Sequence, residues 1–189
     1  EALAAGDIDA VLGRISICDS VAEAVAGIAF VTEAAWEDLD VKRALFAELE
    51  SLVDESTILA SNSSSYPISQ TAEGLVHPER AVVTHWFNPP HVIPLVEVVG
   101  GEATSAETVE TACRLLDRIG KMAVRVDREL PGFLVNRIQV AMMREVWDLL
   151  DRGVASAEDI DRAVRGSMGL RLAAIGPLAV TDYAGWDVT

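Results

Sequence analysis

Cysteine, lysine and histidine are all scarce in this chain: two, two and three among 189 residues. Cys18 and Cys113 stand far apart with no metal-type spacing, so no metal is called for and a reducing, cytoplasmic setting is the expectation. Long apolar runs are missing too. Nothing approaches the ~20 residues of a membrane-spanning helix, and the opening Glu-Ala-Leu-Ala-Ala-Gly-Asp-Ile-Asp lacks the basic and apolar regions of a signal peptide. Positive charge is short: 15 Lys and Arg face 30 Asp and Glu, a formal charge of −15 at pH 7. Such a chain cannot neutralise a row of phosphates, which excludes nucleic acid as a partner. A polyanionic substrate would need a local basic pocket.

Half of the residues are hydrophobic, enough for one good core or one domain plus part of another. Residues 1–14 read as the tail of a helix closing at Gly13. Arg14–Asp19 alternates like a strand, Ser20–Gly27 is a short helix, and Ile28–Thr32 is an apolar run of buried-strand type. Leu39–Val53 carries Val41, Ala44, Leu45, Leu49 and Leu52 at helical spacing. Ser56–Ala60 is the next strand, ending at the polar cluster Ser61-Asn62-Ser63-Ser64-Ser65. Ser105–Ile119 is an amphipathic helix and Met122–Val126 a strand. Strand and helix alternate at the pitch of βαβ units, which predicts a mostly parallel sheet with ligands beyond the carboxyl ends of its strands.

After Asp127 the strands stop. Pro131-Gly132 introduces a long helix from Phe133 to about Leu150, and Ser156 caps another through Val164. The expected division therefore falls near Leu130, with residues 1–129 forming the α/β part and 130–189 an all-helical part. No Gly-x-Gly-x-x-Gly follows any strand, so the loop that cradles a pyrophosphate is not in these residues. The chain stops in mid-pattern at Trp186–Thr189, and both ends are expected to continue beyond it.

The sharpest chemical hint is Ala81–Gly101, two β-rich runs (Ala81–Thr84 and Leu95–Val99) around a loop stiffened by Pro89, Pro90 and Pro94. Runs so joined are usually neighbours, which would bring His85 against Glu97. A histidine with one nitrogen held by a carboxylate has a fixed tautomer and suits a general base near neutral pH. An acid alternating with apolar neighbours is costly unless paired.

Several stretches in order, Ala60–Ser65, His85-Trp86-Phe87-Asn88-Pro89, Leu95-Val96-Glu97-Val98, Pro131-Gly132-Phe133-Leu134-Val135-Asn136-Arg137, Glu158-Asp159-Ile160-Asp161 and Gly176-Pro177, resemble the L-3-hydroxyacyl-CoA dehydrogenases. The resemblance covers nearly the whole chain. It implies a Rossmann-type NAD-binding domain, here without its first strand and glycine loop, followed by a truncated all-helical domain that forms a homodimer. The activity it implies is NAD-dependent oxidation of the secondary hydroxyl of a 3-hydroxyacyl-CoA, a step of fatty acid metabolism.

Carried over by position, the resemblance makes His85 the base, Glu97 its orienting partner, Ser64 a hydroxyl on the reacting oxygen and Asn136 an amide polarising the same oxygen. Asn62, Asn88 and Ser64 would line the nicotinamide side, with Glu37 and Lys42 near the cofactor ribose. Two stretches depart from the acyl-CoA enzymes: the loop Asn88–Pro94 and the longer Gly169–Pro177, which carries Arg171. Both are more similar to the carnitine and gulonate dehydrogenase (λ-crystallin) branch, in which Arg171 would pair with a free substrate carboxylate. A non-catalytic structural protein on the same scaffold, and a hydroxyisobutyrate-type enzyme with a lysine base, are the alternatives. The latter suffers because neither Lys42 nor Lys121 lies in a matching motif. His91 is read as a pocket-rim residue, His77 as a surface turn, the serine cluster as a possible helix cap, and Met142-Met143 as core. Trp86, Trp147 and Trp186 are read as packing or dimer-interface residues.

Overall fold

The structure, a computed structural model, describes residues 5–185, so Trp186 lies outside the described residues. The chain divides after Asn136 into two compact units. In the first, helix α1 (Ala5–Leu12) leads to α2 (Val21–Ala24), whose N-cap Ser20 accepts from the Glu23 N–H. Strand β1 (Phe30–Glu33), helix α3 (Leu39–Leu52) and strand β2 (Ile58–Ser61) follow. Asp38 caps α3 by accepting from the Val41 N–H. A single helical turn, α4 (Ile68–Thr71), precedes β3 (Ala81–Trp86), β4 (Leu95–Val99), α5 (Ala106–Arg118) and β5 (Met122–Val126).

The strands lie in the order β1-β2-β3-β4-β5, and only the β3–β4 pair is antiparallel. This is the expected mostly parallel, Rossmann-type sheet. Alternation along each strand sorts side chains to two faces. One face carries Leu59, Ala81, Val83 and Val99, covered by Phe46 and Leu49 of α3 and by Phe133. The other carries Ala60, Val82, Val96 and Val98, covered by Val109, Ala112 and Leu116 of α5. With both faces covered, β2 and β3 read as near-continuous apolar runs rather than alternating ones. His85 continues the Ala81, Val83 series, and Glu97 lies two residues before Val99. Both therefore belong to the α3 face.

The second unit holds most of α6 (Val135–Asp151), then α7 (Ala157–Val164), a π-helical turn at Arg165–Gly169, α8 (Leu170–Ala174) and α9 (Pro177–Ala184). Ser156 caps α7 through the Asp159 N–H.

Four expectations are corrected. Arg14–Asp19 is not a strand. Among the described residues β1 pairs only with β2, so this alternating run has no ladder partner, and Ile17 is 97% exposed. The long helix begins at Val135 rather than Phe133, because Gly132 and Phe133 both take left-handed backbone, at φ 78° and 51°. No serine caps α4, whose N-cap is Pro67 with no side-chain hydrogen bond. Met142 is 37% exposed, and α6 buries none of its residues in the described chain.

Candidate active site

The β3–β4 register sets His85 directly opposite Glu97. Directly opposed residues of an antiparallel pair project from the same face, with Cβ atoms about 5 Å apart. The rings and carboxylate meet accordingly: His85 Nδ1 lies 2.8 Å from Glu97 Oε2, with His85 3% and Glu97 0% exposed. A carboxylate can only accept, so Nδ1 carries the proton and donates it, and Nε2 is left with its lone pair. The other carboxylate oxygen, Oε1, accepts from the backbone N–H groups of Leu134 at 3.1 Å and Val135 at 2.8 Å. These are free N–H groups at the start of α6. A fully buried charge thus has three donors, which offsets the cost of removing it from water. The imidazole is flanked by Phe87, ring centroids 4.5 Å apart, and Phe133, at 5.4 Å.

A second cluster occupies the carboxyl ends of β1 and β2. Buried Glu33 accepts from the Ser61 hydroxyl at 2.6 Å, from the Ala35 N–H at 2.6 Å and from Lys42 Nζ at 2.9 Å. Lys42 is only 1% exposed and stands 3.2 Å from Glu37 Oε2 as well. Glu37 Oε1 in turn accepts from the Ser63 hydroxyl at 2.7 Å and from the N–H groups of Ser64 and Ser65 at 2.9 and 3.1 Å. Burial pushes the Glu37 carboxyl up, but the Ser63 hydroxyl, the Lys42 ammonium and the Ser64 N–H outweigh it and hold it below the usual carboxylate range. Ser63 also accepts from the N–H groups of Ser65 and Tyr66, so it shapes a tight turn. That turn leaves Ser64 exposed.

The remaining residues singled out from the sequence fall as follows. Asn62 Oδ1 accepts from the Trp86 N–H at 3.0 Å, tying the serine turn to β3. Asn136 Nδ2 donates to the Ser64 carbonyl at 3.2 Å. Asn88 is exposed and precedes a cis peptide bond to Pro89. Arg171 is exposed on α8 of the second unit. The structure therefore brings His85 to Glu97, Glu37 to Lys42 and the serine turn, and Asn136 to Ser64.

Three participants had no sequence signal strong enough to single them out. Glu33 is an acid at the end of an apolar run, with nothing local to say what it pairs with. Phe133 reads as an ordinary core residue. Lys121, just before β5, donates to the carbonyls of Pro90 and of Ile93, the latter at 3.0 Å, and stands over the Trp86 ring at 5.4 Å. It pins the proline loop, and only the scarcity of lysine could have drawn attention to it.

Exposed hydroxyl and amide groups at Ser64 and Asn88, with the partly exposed Glu37 carboxylate, fit the hydroxyls and carboxamide of a dinucleotide at the carboxyl ends of parallel strands. By architecture the protein is a Rossmann-type α/β unit joined to a helical one. The chain belongs to the 3-hydroxyacyl-CoA dehydrogenase family: residues 1–130 match that family's NAD binding domain and residues 132–189 its C-terminal domain. It is 39% identical over 177 residues to 5-formyl-3-hydroxy-2-methylpyridine 4-carboxylate 5-dehydrogenase of Mesorhizobium japonicum, covering 94% of this chain and 57% of that protein. It is 42% identical over 174 residues to L-carnitine dehydrogenase of Streptomyces coelicolor, covering 92% and 55%. Among solved structures, 3-hydroxybutyryl-CoA dehydrogenase of Escherichia coli matches with a TM-score of 0.83 at 41% identity, over 98% of this chain and 38% of that one. The chain spans a little over half the length of the two curated relatives.

Proposed function

We propose that the whole protein is an NAD-dependent dehydrogenase that oxidises the secondary hydroxyl of a 3-hydroxyacyl-CoA, or of a related 3-hydroxy acid, to the keto product. The observation that carries this reading is the buried His85–Glu97 pair, with Nδ1 committed and Nε2 left to accept. In this reading His85 Nε2 takes the hydroxyl proton as the carbinol becomes a carbonyl. Glu97 stays ionised and supplies the counter-charge to the imidazolium. The Ser64 hydroxyl and the Asn136 amide hydrogen-bond the reacting oxygen. NAD, when bound, supplies the hydride acceptor. Glu37, Asn62, Ser64 and Asn88 would hold it, with buried Lys42 acting through Glu37 rather than touching the ligand. Residues 1–129 are proposed as part of the cofactor domain, and 130–189 as the start of a substrate and dimerisation domain of a cytoplasmic homodimer.

A second reading has its own support: the substrate is a free hydroxy acid, its carboxylate held by Arg171. Two relatives at 39% and 42% identity are named for acids that carry no CoA. The test is NADH formation by the full-length protein with NAD and, in turn, 3-hydroxybutyryl-CoA, carnitine and gulonate. Turnover of the thioester supports the first reading and turnover of a free acid the second. No NADH from any of the three overturns both in favour of a non-catalytic scaffold.

A further inference from the structure

Five consecutive residues at the end of the first unit touch both the serine turn and the His85–Glu97 pair. The Gly132 N–H donates to the Ser65 carbonyl at 3.3 Å. Phe133 lays its ring 5.4 Å from the His85 imidazole, at 52° to it. Leu134 and Val135 give their N–H groups to Glu97 Oε1, and the Asn136 amide reaches the Ser64 carbonyl. The segment therefore fixes the serine turn and the acid–base pair against one another, although they come from different strands.

Its conformation is unusual at one position. Gly132 at φ 78° costs little, but Phe133 at φ 51° holds a bulky side chain in left-handed backbone, a state that persists only where the surroundings over-determine it. Here they do: the ring is 2% exposed and packs in the α3-face core. A glycine would satisfy the backbone more easily and would leave Phe87 as the one aromatic ring beside the imidazole among the described residues. The retention of a phenyl ring at this φ is therefore best explained by what the ring touches.

We propose that Phe133 is the positioning residue of the His85–Glu97 pair. Its ring, facing the imidazole together with that of Phe87, sets the plane of the imidazole and keeps water from the Nδ1–H hydrogen bond, while its left-handed backbone aims the next two N–H groups at Glu97. The proposal rests on the reading of His85 as the base. It assigns Phe133 no contact with the reacting atoms.

The experiment uses the full-length enzyme and two readouts. One is steady-state turnover with the best substrate found above. The other is the downfield proton resonance of the His85 Nδ1–H, identified by its loss in His85→Gln. Phe133→Leu keeps apolar bulk but removes the flat face; it is expected to shift or broaden the resonance and to lower kcat about 10-fold at unchanged KM for NAD, since small misplacements of a catalytic group cost up to ~100-fold. Phe133→Gly, which keeps the backbone and removes the ring, is expected to lower kcat further. If Phe133→Gly does not fold, Phe133→Leu alone decides. A resonance unmoved in Phe133→Leu, or a wild-type kcat despite a moved one, overturns the proposal. Failure of the base reading looks different: His85→Gln itself then keeps turnover.

Discussion

Glu97 is a charge placed where water cannot reach it, and its three donors decide what it can do. Two come from the start of α6 and one from His85. Removing the imidazole leaves the carboxylate held by backbone, so His85→Gln is expected to fold. Turnover is expected to fall at least ~100-fold, the share general-base catalysis contributes. Fluorescence titration is expected to find NADH affinity little changed; unchanged NADH formation would remove His85 from the chemistry. Both members of this pair were legible in the sequence, because a carboxylate between Val96 and Val98 demands a partner and the proline loop limits where that partner lies. Phe133 was not legible. A phenylalanine after Pro-Gly looks like any core residue, and nothing local signals a positive φ or an imidazole brought by a strand 48 positions earlier.

At the scale of elements, the turn after β2 is held from outside by the residues that open α3. Glu37 anchors three successive serines while Lys42, one turn into the helix, anchors Glu37. The folded carboxyl titrates below its ordinary range, so its contribution to stability is complete above about pH 4.3, the unfolded value. That contribution is lost as pH falls through the lower, folded value. Glu37→Gln is therefore expected to destabilise the protein at pH 7 by about 1 kcal/mol or less, since the group is partly solvated. The difference from wild type should shrink in denaturation curves taken progressively below pH 4. A difference independent of pH would mean that the charge of Glu37 does not matter to the turn. Element positions were readable where burial is one- or two-sided and local, as in β2, α3 and α5. Arg14–Asp19 misled because alternation records a propensity, whereas a strand also needs a neighbour to take its N–H and C=O groups. The capping of α6 by Glu97 was invisible because donor and acceptor stand 37 positions apart.

Over the whole molecule, both units leave large apolar side chains exposed. The first packs aliphatic residues on two faces of a sheet yet exposes Ile17 at 97% and Trp36 at 82%. The second exposes large ones along α6, Ile138 at 55% and Trp147 at 59%, and on α8 and α9, Leu170 at 70% and Leu178 at 77%. In the proposed homodimer, exposed apolar side chains such as these are where association is expected. Sedimentation equilibrium of the full-length protein is expected to give twice the chain mass, and Trp147→Glu to shift the population towards the monomer. A monomer at micromolar concentration would remove that part of the reading. The antiparallel crossing of β3 and β4 carries one more consequence. Ring and carboxylate share a side only because the pairing is in phase, so a single inserted residue in either strand would send them to opposite sides. Descendants of this protein that lengthen or shorten either strand keep ring and carboxylate on one side only when the change comes in twos.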